Sequence, residues 1–426
     1  TAAAEVARAR DLGLEVVVVD HHTVPAELPP ALAVLNPHQP GCGYPTRHLC
    51  AAGVAFALCM ALRRGLREAG HYAGRGEPNL RALLDLVALA TVADVVPLTG
   101  VNRVLVKHGL ASLSRAERPG VRALKEAAGL AAGAPVSSGL VGFRLGPRIN
   151  AAGRLDDASV GLQLLRARSL EEARPLARAL DVANQERQLI EHRILGAALE
   201  QAEGFGGERG LVLWGEDWHP GVVGIVAARV VDRLHRPVVV VGVQDGVGKG
   251  SARSIERFHL VDGLARCAEL LTRYGGHRAA AGVTLEASAL PAFRLAFARV
   301  AAEALTPEDL ESTCRVDVVV DPGELTERAV EGLAALGPFG PGNPEPLLLA
   351  RGLSARPRVL AAKRGGAGHL KLVLSEAPRL DTIGFGMAER AGEAQGRVDL
   401  AFQATVDEFR GERRVALRLK DLRAAG

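Results

Sequence analysis

Apolar residues along the chain follow three successive patterns, each predicting a different kind of structure. Thr1 to Leu12 has helical spacing and ends at Gly13, a residue suited to a helix C-cap. Leu14-Glu15-Val16-Val17-Val18-Val19 follows, a nearly continuous β-branched run of the kind buried on both faces of a parallel sheet. Helical spacing returns at about 48–69 and 79–92, and helix-rich sequence continues to about 181. Over 184–203, Ile190, Ile194, Leu195, Ala198 and Leu199 make one apolar stripe, with Glu186, Arg187, Glu191 and Arg193 off it. This predicts a long, partly exposed connecting helix.

Gly204-Phe205-Gly206-Gly207 breaks that helix and opens a second α/β unit. Its predicted strands are Gly210–Trp214 and Pro237–Val243, with a helix near 221–234 between them. Thr306-Pro307-Glu308-Asp309 marks a further boundary. Beyond it the period shortens to two, with strands predicted at 315–320, 347–360, 369–374, 381–385, 398–409 and 413–420 and a hairpin tip at Arg410-Gly411. Evenly spaced short strands predict a small barrel of the OB-fold kind. The fold class is therefore α/β, divided as 1–183, a connecting helix 184–203, a second α/β domain 204–305 and a barrel domain 306–426.

Composition narrows the function classes without choosing among them. The 426 residues are 48% hydrophobic and 23% charged, ordinary for a globular protein. No uncharged apolar run of about eighteen residues is present, which argues against a membrane partner. The chain opens at Thr1 inside an Ala-rich helical pattern, so a preceding segment is expected. Five cysteines, Cys42, Cys50, Cys59, Cys267 and Cys314, form no Cys-x-x-Cys pair, which points to a reducing cytoplasm rather than a disulfide or zinc framework. The net charge of +4 is mild, and six lysines against 46 arginines reflect codon bias more simply than nucleic-acid binding.

Several clusters carry candidate chemistry. Asp20-His21-His22 ends the Val16–Val19 strand, and the carboxyl ends of parallel strands are where open α/β sheets place ligands. A carboxylate and two imidazoles suit a divalent metal, although three such residues alone also describe a polar loop. Asp94 is a lone acid inside the apolar run 91–98, read as buried and therefore paired, cation-bound or capping a helix. Arg148, Asn150 and Arg154 lie among small residues that admit a phosphate chain, or serve as surface arginines on a loop. Gly248-Lys249-Gly250-Ser251-Ala252-Arg253-Ser254 lacks P-loop spacing but offers flexible backbone amides, hydroxyls and an arginine as an anion clamp. His277, on the Gly275-Gly276 turn, reads more simply as structural when taken alone.

Taken in order, these segments resemble the RecJ-type single-strand-specific exonucleases of the DHH phosphoesterase superfamily. Asp20-His21-His22, Asn36-Pro37-His38-Gln39-Pro40 and Leu49-Cys50-Ala51-Ala52-Gly53-Val54-Ala55 are similar to the third motif of that family and its RecJ-type sequel, and Thr91-Val92-Ala93-Asp94 to the fourth. Phe143-Arg144-Leu145-Gly146-Pro147-Arg148-Ile149-Asn150-Ala151-Ala152-Gly153-Arg154 is similar to its next signature. Trp218–Ala227, Gly248–Ser254 and Tyr274–Gly282 are similar to its DHH-associated domain, and Pro338–Pro346 with Gly368–Leu372 to the segment after it.

The resemblance implies a metal-dependent 5′-to-3′ exonuclease on single-stranded DNA, using Mn²⁺ or Mg²⁺ and acting in DNA repair and recombination. His21 and Asp94 would be metal ligands, Asp20 a ligand or its close support, and His22 a catalytic residue facing a metal or the scissile phosphate. Arg148, Asn150 and Arg154 would hold DNA backbone or support the metal-ligand loops. Ser251 and Arg253 would bind the terminal 5′ phosphate, and Gly275, Gly276 and His277 would approach the scissile one. A cleft between the two α/β domains would exclude a duplex. Lys363, Arg364, His369 and Lys371 would form a basic strip in the C-terminal domain, with Phe339, Phe385 and Phe409 as stacking candidates.

Single-stranded DNA is the implied partner, with a single-strand-binding protein and a helicase beside it. The family's two earlier acidic motifs do not occur in this sequence. The metal site is accordingly expected to be incomplete, the first sheet to show an apolar edge, and the chain to bind nucleic acid better than it cuts it. Two alternatives are a catalytically silent nucleic-acid-binding protein and a smaller DHH-type phosphoesterase acting on oligonucleotides or bisphosphonucleotides. The strands beyond residue 310 and the Arg148–Arg154 segment disfavour the second.

Overall fold

A computed structural model describes residues 3–425 apart from Ala26, Asp156, 362–367 and Arg410-Gly411, so the predicted hairpin tip lies outside the described residues. The chain divides into two compact units, one made of Thr1–Glu117, Leu130–Gly146 and Cys314–Gly426, the other of Arg118–Gly129 and Pro147–Thr313.

In the first unit the valine run forms β1, Val17–Val19, which pairs in parallel with β2, Ala33–Leu35. The expectation of a strand buried on both faces is not met. Val17 is 48% exposed, because among the described residues β2 is the only strand in its sheet besides β1. Helices Ala51–Glu68, Leu84–Ala93 and Gly100–Arg115 follow, the second of them buried through Val87, Ala88 and Leu89.

The second unit is organised around the connecting helix, which runs Leu170–Glu203 and starts where Ser169 Oγ accepts the amide of Glu172. Its buried face reads Ala173, Ala177, Leu180, Asn184, Arg187, Glu191, Ile194, Ala198 and Ala202, at steps of three and four. Arg187 and Glu191 therefore lie on the buried face, not off it as the apolar stripe suggests. Their mutual ion pair satisfies most of what burial would otherwise leave unsatisfied.

The sheet of this unit contains β3 (Leu211–Glu216), β4 (Val238–Gln244), β5 (Val247–Arg253), β6 (Arg273–Gly276) and β7 (Ala280–Glu286), in the order β3-β4-β5-β7-β6. β3 and β4 are parallel, joined through the helix Pro220–Leu234. β4 turns into β5 through Asp245 and Gly246, both at positive φ, as a two-residue hairpin loop requires. The segment read as a flexible anion loop is thus a strand. β5 is laddered to β4 on one side and β7 on the other, so its amides are committed to the sheet and only its side chains can meet a ligand. Phe293 and Phe297 of the helix Leu290–Ala304 close the core beneath it.

The chain then returns to the first unit with β8 (Val318–Val319), β9 (Leu348–Leu360), β10 (His369–Leu374), β11 (Asp381–Ile383), β12 (Gly396–Phe409) and β13 (Glu412–Ala424). Alternating leucines of β9, β10 and β13 meet Val398, Leu400 and Phe402 in one core. The order is β10-β9-β12-β13-β11, with β8 on β9, an open sheet rather than the predicted closed barrel. Among the described residues its two edges meet at one isolated bridge, Leu370 to Gly384. Two residues on, the buried Thr382 hydroxyl bonds the amide and carbonyl of Leu372 where a closed ladder would place backbone. Among the described residues, no helix is long and apolar enough to cross a membrane.

Candidate functional site

β1 delivers Asp20 into a loop where the Asp20 amide still pairs with the Leu35 carbonyl. The Asp20 carboxylate turns back on that loop, accepting the amides of His21 and His22 at 2.7 and 3.2 Å and lying 2.7 Å from His22 Nδ1. Burial pushes its pKa up, but the His22 ring and the two amides outweigh it and hold the carboxyl at about 2. Asn36, buried behind the loop, donates to the His22 carbonyl and accepts from the His38 amide, each at 2.9 Å.

His21 reaches across to the helix Leu84–Ala93, whose C-cap is Asp94. His21 Nε2 lies 3.3 Å from Asp94 Oδ2. The reading of Asp94 as a buried acid is corrected: its side chain is 42% exposed, since the apolar run containing it ends its helix there and turns outward. The four predicted metal residues are thus brought together as two pairs, His21 with Asp94 and Asp20 with His22, the His21 and His22 rings 4.4 Å apart. Among the described residues, no group of three or more His, Cys, Asp or Glu converges in a metal-holding arrangement. The His21–Asp94 pair fits part of one: adjacent ligands of an octahedral ion, each about 2.1 Å from it, stand ~3 Å apart.

The rim of this loop holds residues to which the motif reading gave no role. His38 has its pKa lowered by burial and by the nearby His48, Arg47 and His21. The buried Asn102 donates to the carbonyls of His48 and Pro97. Nothing local in the run 100–115 singles out Asn102, since other polar residues of the same helix surround it.

The predicted phosphate residues belong to the second unit. Arg148 pairs with Asp181 of the connecting helix at 2.8 Å, and Asn150 is exposed one turn along its own helix, Gly146–Leu155. Arg154 donates to the Gly221 carbonyl at 2.9 Å. Ser251 and Arg253, two residues apart on β5, share a face of the sheet. Both face Gly224 of the helix Pro220–Leu234, where a Cβ would stand 3.1 Å from Ser251 Oγ and 3.4 Å from Arg253 Nη2. Burial, then Arg154, lowers the pKa of Arg253; burial, then Arg187, lowers that of Arg154, with Glu191 opposing. Arg154 therefore lies by Arg187 and by the buried Glu191 carboxylate, which also binds Arg229, and Arg253 lies by Arg154. This leaves an excess of partly desolvated positive charge suited to a phosphate. His277 is exposed beyond Gly275 and Gly276, its amide bonded to the carbonyl of Ala280, whose other neighbour across the sheet is Arg253.

In the C-terminal sheet, Lys371 is paired with Asp381 at 2.5 Å. Phe385 is 61% exposed and meets the His369 ring edge-on at 5.3 Å. Phe339 is half-buried and lines a cavity of about 510 Å³ with Val330, Leu333 and Val406. Lys363 and Arg364 lie outside the described residues, as does the side chain of Phe409.

Three family models match the chain: the DHH family N-terminal domain over residues 1–91, the DHHA1 domain over 207–303 and the RecJ OB domain over 316–421. The single-stranded-DNA-specific exonuclease RecJ of Dickeya dadantii (strain 3937) is 43% identical over 96% of the chain and 73% of its own length. That of Escherichia coli (strain K12) is 41% identical with the same coverage. The crystal structure of RecJ from Thermus thermophilus in complex with Mn²⁺ superposes with a TM-score of 0.83 at 33% identity, covering 100% of this chain and 60% of that one. A manganese-bound exonuclease RecJ gives a TM-score of 0.58 at 37% identity over 74% of this chain and 75% of that one.

Proposed function

The chain belongs to the RecJ family of single-stranded-DNA-specific exonucleases, and from that premise we propose that it forms the body of a metal-dependent nuclease degrading single-stranded DNA from its 5′ end. The observation that carries the proposal is the His21–Asp94 pair at 3.3 Å, an imidazole and a carboxylate from separate elements meeting beyond a strand's carboxyl end. Mn²⁺ or Mg²⁺ bound there would supply an activated water and a polarised phosphoryl oxygen.

The remaining roles belong to the chain's own groups. Asp20, ionised at neutral pH, holds the loop and fixes the His22 ring through Nδ1. The exposed Nε2 edge of His22 is left to meet the scissile phosphate. Ser251, Arg253 and Arg154 grip the 5′ phosphate, with His277 and the Gly275-Gly276 strand end beside them. Arg148, engaged by Asp181, supports that grip by docking the helix Gly146–Leu155 on the connecting helix, and the exposed Asn150 is free to hold DNA backbone. Contacts of this kind hold backbone without reading bases, so cutting is independent of sequence. The division 1–183, 184–203, 204–305 and 306–426 is the domain plan this reading uses. A cytoplasmic location, where the five free thiols stay reduced, and a single-strand-binding protein and a helicase as partners complete it.

The test is a 5′-labelled single strand incubated with Mn²⁺ and the full-length protein or its His21→Ala and Asp94→Asn variants. Mononucleotide release by the parent, at least a hundredfold slower in both variants, is expected. Binding without cleavage by the parent would overturn the reading in favour of a silent binding protein.

A further inference from the structure

The backbone around Asp94 is held in a conformation it would not adopt unaided. Asp94 N–H bonds the Ala90 carbonyl and Val95 N–H the Val92 carbonyl, closing the helix. Val95 then has φ +59°, a left-handed conformation that a β-branched residue rarely takes. The chain beyond it is held at two successive residues. Pro97 accepts from Asn102 Nδ2 at 2.9 Å, and Leu98 N–H donates to the Pro341 carbonyl at 2.7 Å.

Pro341 belongs to the segment Pro338-Phe339-Gly340-Pro341-Gly342-Asn343-Pro344, of which the roles considered so far use only Phe339. The segment has a shape of its own. Gly340 and Asn343 exchange backbone hydrogen bonds at 2.9 and 3.0 Å, and Asn343 Nδ2 donates to the carbonyls of Leu336 and Pro338 at 3.1 and 2.9 Å. It sits tightly on the Asp94 loop. A Cβ on Gly340 would stand 2.7 Å from Leu98 Cδ1, and one on Gly342, at φ +73°, would stand 3.0 Å from Thr99 Cγ2. Leu98 is 1% exposed in this contact.

We propose that the Gly340–Asn343 turn positions Asp94, holding its carboxylate within metal-sharing distance of His21. Asp94 is a half-exposed side chain at a helix end, so where its oxygens point depends on the backbone on either side. The helix settles the upstream side. Downstream, release of Leu98 would let Val95 relax to negative φ and carry Asp94 away from His21. Because the same segment leads within a few residues into β9, the C-terminal sheet and the metal loop share one mechanical support. The inference rests on the reading of His21 and Asp94 as ligands.

Mn²⁺ titration of the full-length protein by calorimetry tests it. Gly340→Ala, whose new methyl collides with Leu98, should weaken Mn²⁺ binding about tenfold, the usual size of a lost supporting contact. Adding Leu98→Val makes room for that methyl and should restore most of the affinity, which a defect confined to the C-terminal sheet would not do. Metal-free binding of a single-stranded oligonucleotide should be unchanged throughout. Gly340→Ala with Mn²⁺ affinity within twofold of the parent, or a loss that persists with Leu98→Val, overturns the proposal. Should Gly340→Ala fail to fold, Asn343→Ala decides, and parent-like Mn²⁺ affinity in it is equally fatal. His21→Ala separates the two claims: if it binds Mn²⁺ as the parent does, the ligand reading itself fails and this inference with it.

Discussion

Arg187 and Glu191 form a buried ion pair on successive turns of the connecting helix, 9% and 5% exposed and 2.5 Å apart. Asn184 braces Arg187 from the preceding turn at 3.3 Å, and Arg229 reaches the second Glu191 oxygen at 2.5 Å. Arg187 Nε is buried and has no hydrogen-bond partner among the described residues. Removing one member of such a pair leaves the other charged in a dry setting. Glu191→Ala should therefore destabilise the protein by about 3 kcal/mol, read from the urea midpoint. Arg187→Met with Glu191→Leu should recover most of that stability, and because it removes one positive and one negative neighbour of Arg154 together, binding of a 5′-phosphorylated strand should stay within about twofold of the parent. A double variant as unstable as Glu191→Ala would show that more than the charge pairing holds this helix face.

The neighbouring guanidiniums of Arg253 and Arg154 make a second prediction. Arg253→Ala should weaken binding of a 5′-phosphorylated oligonucleotide by about tenfold, equivalent to ~1.4 kcal/mol, while binding of the 5′-hydroxyl form changes little. The slope of log affinity against log salt should fall by about one for the phosphorylated strand. Fluorescence anisotropy over a salt series measures both, and equal losses on the two strands would remove Arg253 from the 5′-phosphate site.

What the sequence makes legible here depends on how local each signal is. β9, β10 and β12 appear where alternation places them, because a period of two is set by neighbours within a few residues. The strand Val247–Arg253 looked like a loop because glycines at 248 and 250 mimic flexibility. Their real reason lies in β4 and β7, where a Cβ on Gly250 would stand 2.8 Å from Val241 Cγ2. Arg187 and Glu191 looked exposed because charge usually marks the wet face, and only their pairing reverses that. His21 and Asp94 could each be singled out, but their meeting across more than seventy residues, and the dependence of Leu98 on Pro341, arise only from the folded chain. The wrong assignment of Asp94 to the interior has the same origin, since an apolar window does not reveal where its helix stops.

Among the described residues of the C-terminal domain, Phe385 is an exposed aromatic, set edge-on to His369. An exposed ring beside an imidazole is a platform on which any base can stack, with a typical contribution of ~1–3 kcal/mol per base. Phe385→Ala should weaken binding of oligo(dT) and mixed-sequence single strands alike, by about tenfold, without changing the unfolding midpoint. Phe339→Ala, which removes a ring lining a cavity, should do the reverse, lowering stability by about 3 kcal/mol with little direct effect on affinity. Were Phe339 the more costly of the two for DNA binding, the roles assigned to the two rings would have to be exchanged.

Asp20 supplies a pH prediction that can be read without substrate. Its carboxyl, at about 2 in the folded protein against an ordinary 3.8, is held down by the His22 ring and the amides of His21 and His22 in spite of burial. A folded-state value below the unfolded one means that the ionised group stabilises the fold above pH ~4, and that this contribution disappears as pH falls from there towards 2. The shift corresponds to about 2 kcal/mol at neutral pH. Asp20→Asn keeps the shape of the side chain but cannot ionise. In metal-free buffer it should be less stable than the parent by up to that amount between pH 5 and 7, and the two should converge near pH 2. Chemical denaturation at a series of pH values gives the difference directly. A gap that stays constant from pH 7 to pH 2 would mean that the Asp20 loop is held by shape alone, and that its charge is free to serve the metal rather than the fold.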